Sequence, residues 1–312
     1  MIRYLFCFLL VVFSLSGFAG NPLEPDSLKG WKSSAVSSLS FSQVSFNNWA
    51  SGGKSSVSAT GMFMYDLSFT DTLKLWENSF DIAFGIIREG DLESLAKSDD
   101  RIEFNTSYGW SAFKNWYYNF SFNFRSQSAK GYENRSDSNL ISDFLAPAYS
   151  TISVGMSYRN TAQSLSLQVL PLSGKLTYVH NQDLANAGAF GLKGATYTQS
   201  GLLVTSAERL RSEFGGSLKI QYKSNLWENV KLDTQATLFS NYKGKLSRID
   251  VDWQLVLLMK INKYLSANIT THLIYDDDID LALDLNKDGV NESFGPRVQF
   301  KELFGLGLSY SF

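Results

Sequence analysis

The segment FGLGLSYSF at residues 304–312 decides the fold class. Its aromatic and aliphatic side chains fall at every second position, and glycine or serine fills the positions between them. Because successive side chains of a strand point to opposite faces, the segment is a strand with one apolar face and one small or polar face. A strand of this kind, ending on Phe312, closes a barrel in a membrane or lies at the edge of a soluble sheet. The rest of the chain decides between these two classes.

The N-terminal region is predicted to be a secretory signal peptide. Arg3 precedes an apolar run at 4–15, and Gly17 and Ala19 supply small residues three and one before a cut after Ala19. The run is too short for a membrane helix, and no later run approaches the roughly 18 apolar residues that such a helix needs. In a membrane the remaining chain can therefore only form a barrel, whose strands pair all their backbone groups. The predicted organisation is a signal peptide at 1–19, a short periplasmic leader at 20–31 and an outer-membrane β-barrel at 32–312.

Composition narrows the function classes. The chain has 28 basic and 30 acidic residues, which gives no basic surplus for nucleic acid. Aromatic residues make up 14% of the chain, yet the mean hydropathy is slightly negative, at -0.12, as expected for strands that alternate apolar and polar positions. The single cysteine, Cys7, lies in the predicted signal peptide, so disulfides are not expected to stabilise the mature protein.

Alternating segments predict an all-β, up-and-down antiparallel barrel of about 12 strands. In the seventh segment, Pro171 and Gly174 interrupt the alternation, which predicts a kink or bulge within one strand. The predicted strands lie near residues 33–46, 57–69, 80–86, 102–110, 118–124, 152–158, 165–178, 214–222, 230–238, 249–261, 265–275 and 304–312.

The connections between these strands fall into two groups. Five turns of a few residues alternate with long loops, apart from a short outer connection near 243–245. Short periplasmic turns and long extracellular loops are typical of outer-membrane barrels, and an even strand number places both ends of the barrel in the periplasm. The sequence therefore predicts a location in the bacterial outer membrane. The long loops are expected at 47–55, 89–99, 127–148, 181–206 and 276–297.

Charged residues alternate with the apolar ones and are expected to line the lumen. Twelve tilted strands give a ring roughly 24 Å across, with on the order of 10 Å left between side chains. This width suits a narrow channel or transporter for small polar solutes or ions, and it also suits a closed ladder of ion pairs in a structural or surface anchor. The predicted pore-lining residues, which carry both signs of charge, are Asp81, Arg101, Glu103, Arg125, Asp233, Arg248, Asp250, Asp252, Lys260 and His272.

Five stretches of the sequence carry a family resemblance: FSQVSFNNWASGGKSS (41–56), KSDDRIEF (97–104), SDFLAPAY (142–149), GAFG (188–191) and QFKELFGLGLSYSF (299–312). They resemble an uncharacterised family of outer-membrane barrels from Bacteroidota, a domain of unknown function. The resemblance implies the location and architecture, and the family has no settled activity to transfer.

The last long loop contains part of a calcium-binding pattern. Asp284, Asn286, Asp288 and Glu292 supply oxygen ligands at alternate positions around a glycine, but Gly295 stands where the bidentate glutamate of the full motif is needed. Two interpretations remain at this point: a partial Ca²⁺ site, which would be the only cofactor, or a solvated acidic loop.

A lipid hydrolase is an alternative function class for a twelve-stranded outer-membrane barrel. Such an enzyme needs a histidine and a serine within hydrogen-bond reach on the lipid-facing wall. His272 falls in the lumen phase, and no serine follows His180. We therefore expect no enzymatic activity. The expected partners are outer-membrane lipids and, through the strand ending at Phe312, the barrel-assembly machinery. Whether loop 181–206 folds inward as a constriction or outward as a docking surface is left open.

Overall fold

The computed structural model describes residues 29–44, 55–89, 95–132, 139–159, 164–243, 248–262, 264–283 and 293–311. Within these ranges, twelve antiparallel strands close into one barrel, which confirms the predicted fold class. The predicted signal peptide lies outside the described residues. In chain order the barrel strands are β1 (Gly30–Val44), β2 (Ser56–Thr70), β3 (Lys74–Glu89), β4 (Ala96–Phe113), β5 (Trp116–Ser126), β6 (Ala148–Arg159), β7 (Leu165–Tyr178), β8 (Leu210–Trp227), β9 (Val230–Asn241), β10 (Asp250–Lys260), β11 (Leu265–Tyr275) and β12 (Gln299–Ser311).

Each strand pairs with its neighbours in sequence, and β12 lies between β11 and β1. The seam between β1 and β12 is short: its register runs from the pair Val36–Ser311 to the pair Phe41–Leu306, six residue pairs. By comparison, β1 and β2 are paired from Gly30–Thr70 to Val44–Ser56, fifteen pairs. The C-terminal segment that suggested a barrel is thus the strand that closes it.

Apolar side chains cover the outside of the barrel. Exposed large residues follow one another at every second position, for example Ile82 and Phe84 on β3 and Phe304, Leu306 and Leu308 on β12. Residues of the opposite phase face inward and are mainly serine, threonine, asparagine and charged residues. This outward apolar and inward polar arrangement is the reverse of a soluble protein core, and it is the arrangement of a membrane barrel.

The predicted irregularity in the seventh strand is a β-bulge. The register of β7 shifts against both neighbours at Leu170–Leu172, so one more residue lies on β7 than on β6 or β8. Pro171 has no N–H to donate, and its carbonyl oxygen accepts a hydrogen bond from the Tyr242 hydroxyl at 2.8 Å. The bulge lets the chain pass proline without breaking the strand, as expected from the sequence.

The loop between β7 and β8 folds into a small cap. Helix α1 (Gln182–Asn186) and a 3₁₀ turn (Ala189–Gly191) follow β7 directly. The Asn181 side chain accepts hydrogen bonds from the N–H groups of Asp183 and Leu184, the second and third residues of α1, at 3.0 and 3.1 Å, which makes it the N-cap. The cap has its own apolar core, formed by Ala146, Val179, Leu184, Ala185, Leu192 and Ala207.

Three short two-stranded ribbons lie in the long loops outside the cap. They pair Gly131–Tyr132 with Leu140–Ser142, Thr196–Tyr197 with Leu203–Thr205, and Asp280–Leu283 with Ser293–Pro296. Within the described residues, no helix has the length and apolar character that are needed to cross a membrane.

Candidate lumen site

The lumen contains a cavity of about 1250 Å³. At one end it is lined by Leu67, Ser68 and Glu77, which lie near the short turns. At the other end it is lined by Leu184 and Phe190 of the cap. The cavity therefore runs along the barrel from the turn side to the underside of the cap, and polar side chains line most of its length.

Two polar contacts cross the middle of the lumen. The guanidinium of Arg125 on β5 forms an ion pair with Asp252 on β10, and the other oxygen of Asp252 lies 3.0 Å from His272 Nε2. Arg101 Nη1 on β4 donates to the side-chain oxygen of Gln254 on β10 at 3.2 Å. In the strand order β4 and β10 are diametrically opposite, so these side chains span the barrel. These two contacts narrow the cross-section of the lumen at the level where they occur.

A second crossing lies nearer the short turns. Lys223 Nζ on β8 lies 3.1 Å from Asp233 on the neighbouring strand and 3.7 Å from Asp66 on β2. Strands β2 and β8 are also opposite each other. Glu77 and Arg159 form a further ion pair between β3 and β6.

A denser ion network lies below the cap. Lys175 Nζ on β7 contacts Asp250 at 2.8 Å, Asp276 at 3.0 Å and Glu213 at 3.8 Å. Arg211 on β8 donates to Glu213 through Nε at 3.0 Å and Nη2 at 2.5 Å. Two cations thus share three largely buried carboxylates, so that the buried charges compensate one another.

Arg211 also holds the cap. Its Nη1 donates to the carbonyl oxygen of Gly191 at 3.0 Å. Gly191 has φ +76°, and a Cβ there would lie 1.9 Å from Arg211 Nη1 and 3.0 Å from the carbonyl oxygen of Asp278. Only glycine fits this close approach. Arg211 Nη2 lies 3.6 Å from the Asp278 carboxylate. Burial raises the pKa of Asp278, and the positive charge of Arg211 opposes that rise.

The loop between β5 and β6 is fixed at the same mouth by Lys97. Its Nζ donates to Asp100 at 3.0 Å, to Gln127 at 2.8 Å, to the carbonyl oxygen of Ala129 at 2.8 Å and to Ser142 at 3.1 Å. The mouth is therefore covered by two loops that polar side chains of the barrel hold in place.

The structure separates the predicted pore-lining residues by position. Asp81 and Asp233 lie within β3 and β9 but are not among the residues that line the cavity. Lys260 is the last residue of β10, at the short turns, and Arg248 precedes β10 at the opposite end, where its Nε lies 3.0 Å from Asp277. The six that line the cavity are Arg101, Glu103, Arg125, Asp250, Asp252 and His272.

The predicted calcium ligands, Asp284, Asn286, Asp288 and Glu292, lie outside the described residues. In the described part of the chain, no group of three or more His, Cys, Asp or Glu side chains is placed to hold a metal ion.

Several lumen cations were missing from the sequence prediction, among them Lys175, Arg211 and Lys223. Lys175 lies just after the bulge, and the other two flank the predicted eighth strand, 214–222. Extending the inward phase of Glu213 back to 211 and that of Lys219 on to 223 identifies both. The inward phase of both residues could be read from the sequence. They were missed because the apolar alternation, which set the predicted strand ends, stops before the strand itself ends.

The fold resembles solved outer-membrane barrels at low sequence identity. The translocator domain of the autotransporter NalP from Neisseria meningitidis is 10% identical, with a TM-score of 0.37, covering 97% of this chain and 93% of that one. An outer membrane channel from Pseudomonas putida F1 is 11% identical, with a TM-score of 0.38, covering 93% and 100%. Outer membrane phospholipase A from Escherichia coli is 14% identical, with a TM-score of 0.33, covering 93% and 94%. At these scores the likeness is distant, and no activity passes from those proteins to this chain.

No curated protein sequence matches the chain significantly. Residues 41–132, which span β2 to β5 and their flanking segments, match a family described as a protein of unknown function, DUF3078.

Proposed function

We propose that this protein is an outer-membrane channel for small polar solutes or ions, and that the described conformation is its closed state. The observation that carries the proposal is the long polar cavity, which is interrupted by side-chain bridges and a cap. An inert barrel would be filled by packed side chains. Here the closing contacts are hydrogen bonds and ion pairs between side chains that line a polar cavity, and water can take the place of these partners when the side chains separate.

The outer surface supports the membrane location. Aromatic rings contact one another around the short-turn end: Trp31 with Trp76 at 5.6 Å, Trp76 with Tyr108 at 6.5 Å, and Trp116 with Tyr158 at 5.5 Å between ring centroids. Tryptophan and tyrosine concentrate where a membrane meets water, and girdles of this kind flank the apolar band of outer-membrane barrels.

The test is single-channel recording in a planar bilayer. Purified full-length barrel is compared with a variant from which residues 181–206 are deleted, and with the point variant Arg211→Gln, which retains the cap core. We expect rare openings from the unaltered protein and frequent openings from both variants. A barrel that stays silent in all three forms, although it migrates as a folded species on heat-modifiability gels, would disprove the channel.

A second function is favoured by one observation. The ribbon of residues 196–205 presents exposed apolar side chains outside the barrel, namely Tyr197, Leu202, Leu203 and Val204. We propose a surface-interaction anchor as the alternative function, with this ribbon as its contact. Absence of current together with loss of binding to intact cell envelopes after Leu202→Ser and Val204→Ser would favour the anchor.

We propose no enzymatic role. His272 is engaged with Asp252 inside the lumen, and the ring of His180 lies 3.4 Å from the hydroxyl of Tyr178 at the outer end of β7. Purified protein is expected to release no fatty acid from phospholipid vesicles, with and without Ca²⁺.

A further inference from the structure

Two opposite walls of the lumen carry charges of opposite sign that do not reach one another. The acidic wall consists of Glu103 on β4, which lines the cavity, and its register partner Asp81 on β3, which is not among the lining residues. The basic wall is Lys219 on β8. Three strands separate β4 from β8 around the barrel, and Glu103 and Lys219 both line the cavity between them.

The acidic wall combines two like charges. Asp81 and Glu103 are direct register partners, and both belong to the inward phase. Carboxylates placed directly opposite each other on neighbouring strands repel and destabilise the sheet. Two carboxylates in this arrangement lower the stability of the barrel, and a cation placed between them would remove the repulsion.

No described side chain supplies that cation at contact distance. Glu103 is only 5% exposed and accepts hydrogen bonds from the amides of Asn123 at 3.1 Å and Asn105 at 3.3 Å. Among the described residues, Asp81 makes no hydrogen bond and no ion pair. Arg101 acts on Asp81 through space, but its Nη1 bonds Gln254 and its buried Nε has no partner in the described chain.

The basic wall is the counterpart. Lys219 lines the cavity and forms neither a hydrogen bond nor an ion pair with the described residues, and Glu103 and Asp252 act on it only at longer range. Its register neighbour on β7, Gln168, is 7% exposed and also lines the cavity. The buried Oε1 of Gln168 has no partner in the described residues. A glutamine side chain can present either its oxygen or its nitrogen to a ligand.

The neighbouring charged residues do not act as partners for the acidic wall or for Lys219, because they already form ion pairs with one another. Asp252 is paired with Arg125, and Lys223 is shared by Asp233 and Asp66. Counting Arg101 with the acidic wall leaves one net negative charge there and one positive charge at Lys219. A simple anion would meet the two carboxylates, and a simple cation would meet Lys219. A molecule that carries both charges matches both walls.

We propose that the lumen binds small zwitterions of the amino acid or short peptide class between two groups of opposite charge. One group is the Glu103 carboxylate with Asp81 next to it, and the other is Lys219. The ammonium group lies against the carboxylates of β3 and β4. The carboxylate lies against Lys219, with the Gln168 amide beside it. This proposal deepens the channel function by naming its solute class.

The test measures binding without current, so that it is independent of conduction. Full-length barrel refolded in detergent is titrated by calorimetry with glycine, diglycine and triglycine, in which the two charges are progressively further apart. Acetate and methylammonium, which carry one charge each, are the ligand controls. We expect one member of the glycine series to bind best, since its length matches the gap, and both controls to bind more weakly.

Variants then locate the site. Lys219→Gln and Glu103→Gln each remove one charge with little change of shape, and each is expected to weaken binding about tenfold, the size expected for one charged hydrogen bond. The matched control is Lys223→Gln, which removes an inward lysine of the same strand that is already paired. Its affinity is expected to stay within about threefold of the original. Gel mobility before and after heating verifies that each variant is folded.

The proposal is overturned if none of the three zwitterions binds the unaltered protein, if acetate or methylammonium binds as well as they do, or if Lys223→Gln weakens binding as much as Lys219→Gln. Binding by a barrel that never conducts would leave the zwitterion site standing and disprove the channel. Conduction without zwitterion binding would support the channel and disprove the zwitterion site.

Discussion

Arg125 and Asp252 form an ion pair that spans the lumen from β5 to β10, and His272 holds the second oxygen of the same carboxylate. Because both partners lie on the inner wall, the pair places fixed protein atoms in the path of a solute. Its removal is the most direct perturbation of the closed lumen.

The double variant Arg125→Gln with Asp252→Asn is expected to raise single-channel conductance. It removes the bridge without leaving either charge unpaired, since breaking only one partner of a buried pair is strongly destabilising, by about 3–5 kcal/mol. Conductance in potassium chloride is the measurement. A double variant that is fully folded and has unchanged conductance would show that the bridge does not limit flow.

Arg211→Gln is expected to increase the frequency of opening without changing the conductance of the open state. The substitution removes the hydrogen bond from Arg211 to the Gly191 carbonyl oxygen and one cation of the mouth network. The matched control is Arg209→Gln, since Arg209 donates to the carbonyl oxygen of His180 and packs on Tyr178, away from the lumen. Equal opening rates in the two variants would contradict the role of Arg211.

Gly191→Ala tests the same contact from the cap side. The added Cβ at positive φ would collide with the Arg211 guanidinium, so Arg211 must shift and give up its hydrogen bond to the Gly191 carbonyl oxygen. Openings are expected to become more frequent, as in Arg211→Gln, and the effect should be absent when Gly191→Ala is added to Arg211→Gln. Additive effects would indicate two separate contacts.

Gly155→Ala is expected to lower the free energy of unfolding by about 1–3 kcal/mol, because overpacking forces the backbone to shift. A Cβ on Gly155 would lie 2.1 Å from the Val169 carbonyl oxygen, beside the bulge of β7. Gly61→Ala is the control, since no atom lies within 4 Å of its Cβ position. Urea unfolding in lipid vesicles, followed by tryptophan fluorescence, compares the two. Equal midpoints would show that the bulge adapts without cost.

Asp71 is expected to make the β2–β3 turn sensitive to acid. Its carboxylate accepts the Thr72 N–H at 2.7 Å and the Thr72 hydroxyl at 3.0 Å, and these bonds hold the pKa of Asp71 below its usual 3.8. The ionised form therefore stabilises the fold above pH 3.8, and this contribution is lost as the pH falls through the lowered pKa. Asp71→Ala should reduce the difference between the urea midpoints measured at pH 6 and pH 3. Thr72→Val, which keeps the backbone N–H, should reduce it less.

Sequence alternation predicted the barrel well and the strand ends poorly. The third and fourth strands were expected at 80–86 and 102–110, but β3 is Lys74–Glu89 and β4 is Ala96–Phe113. Beyond the apolar band, outward side chains no longer need to be apolar, so the alternation stops while the backbone pairing continues. The polar ends of a strand are therefore predicted as loop when only the alternation of apolar residues is used.

Inward charges could be assigned from their phase, but their pairing could not. Arg125 and Asp252 were both expected in the lumen, yet their contact depends on how β5 and β10 face each other after closure. The cap was also undecided, because loop 181–206 combines Asn181, an N-cap, with glycines that suit many turns. Its inward position rests on Gly191 and Arg211, which meet only in the folded barrel.

The short seam between β1 and β12 bears on the order of assembly. Pairs such as Val36 with Ser311 join the two ends of the barrel sequence, whereas all other barrel strands pair with a sequence neighbour. Closing so long a loop costs more chain entropy than forming any hairpin, and few hydrogen bonds repay it until the other strands are in place. The seam is thus expected to form last. Until then β1 and β12 are expected to present unpaired edges, which can pair with another strand.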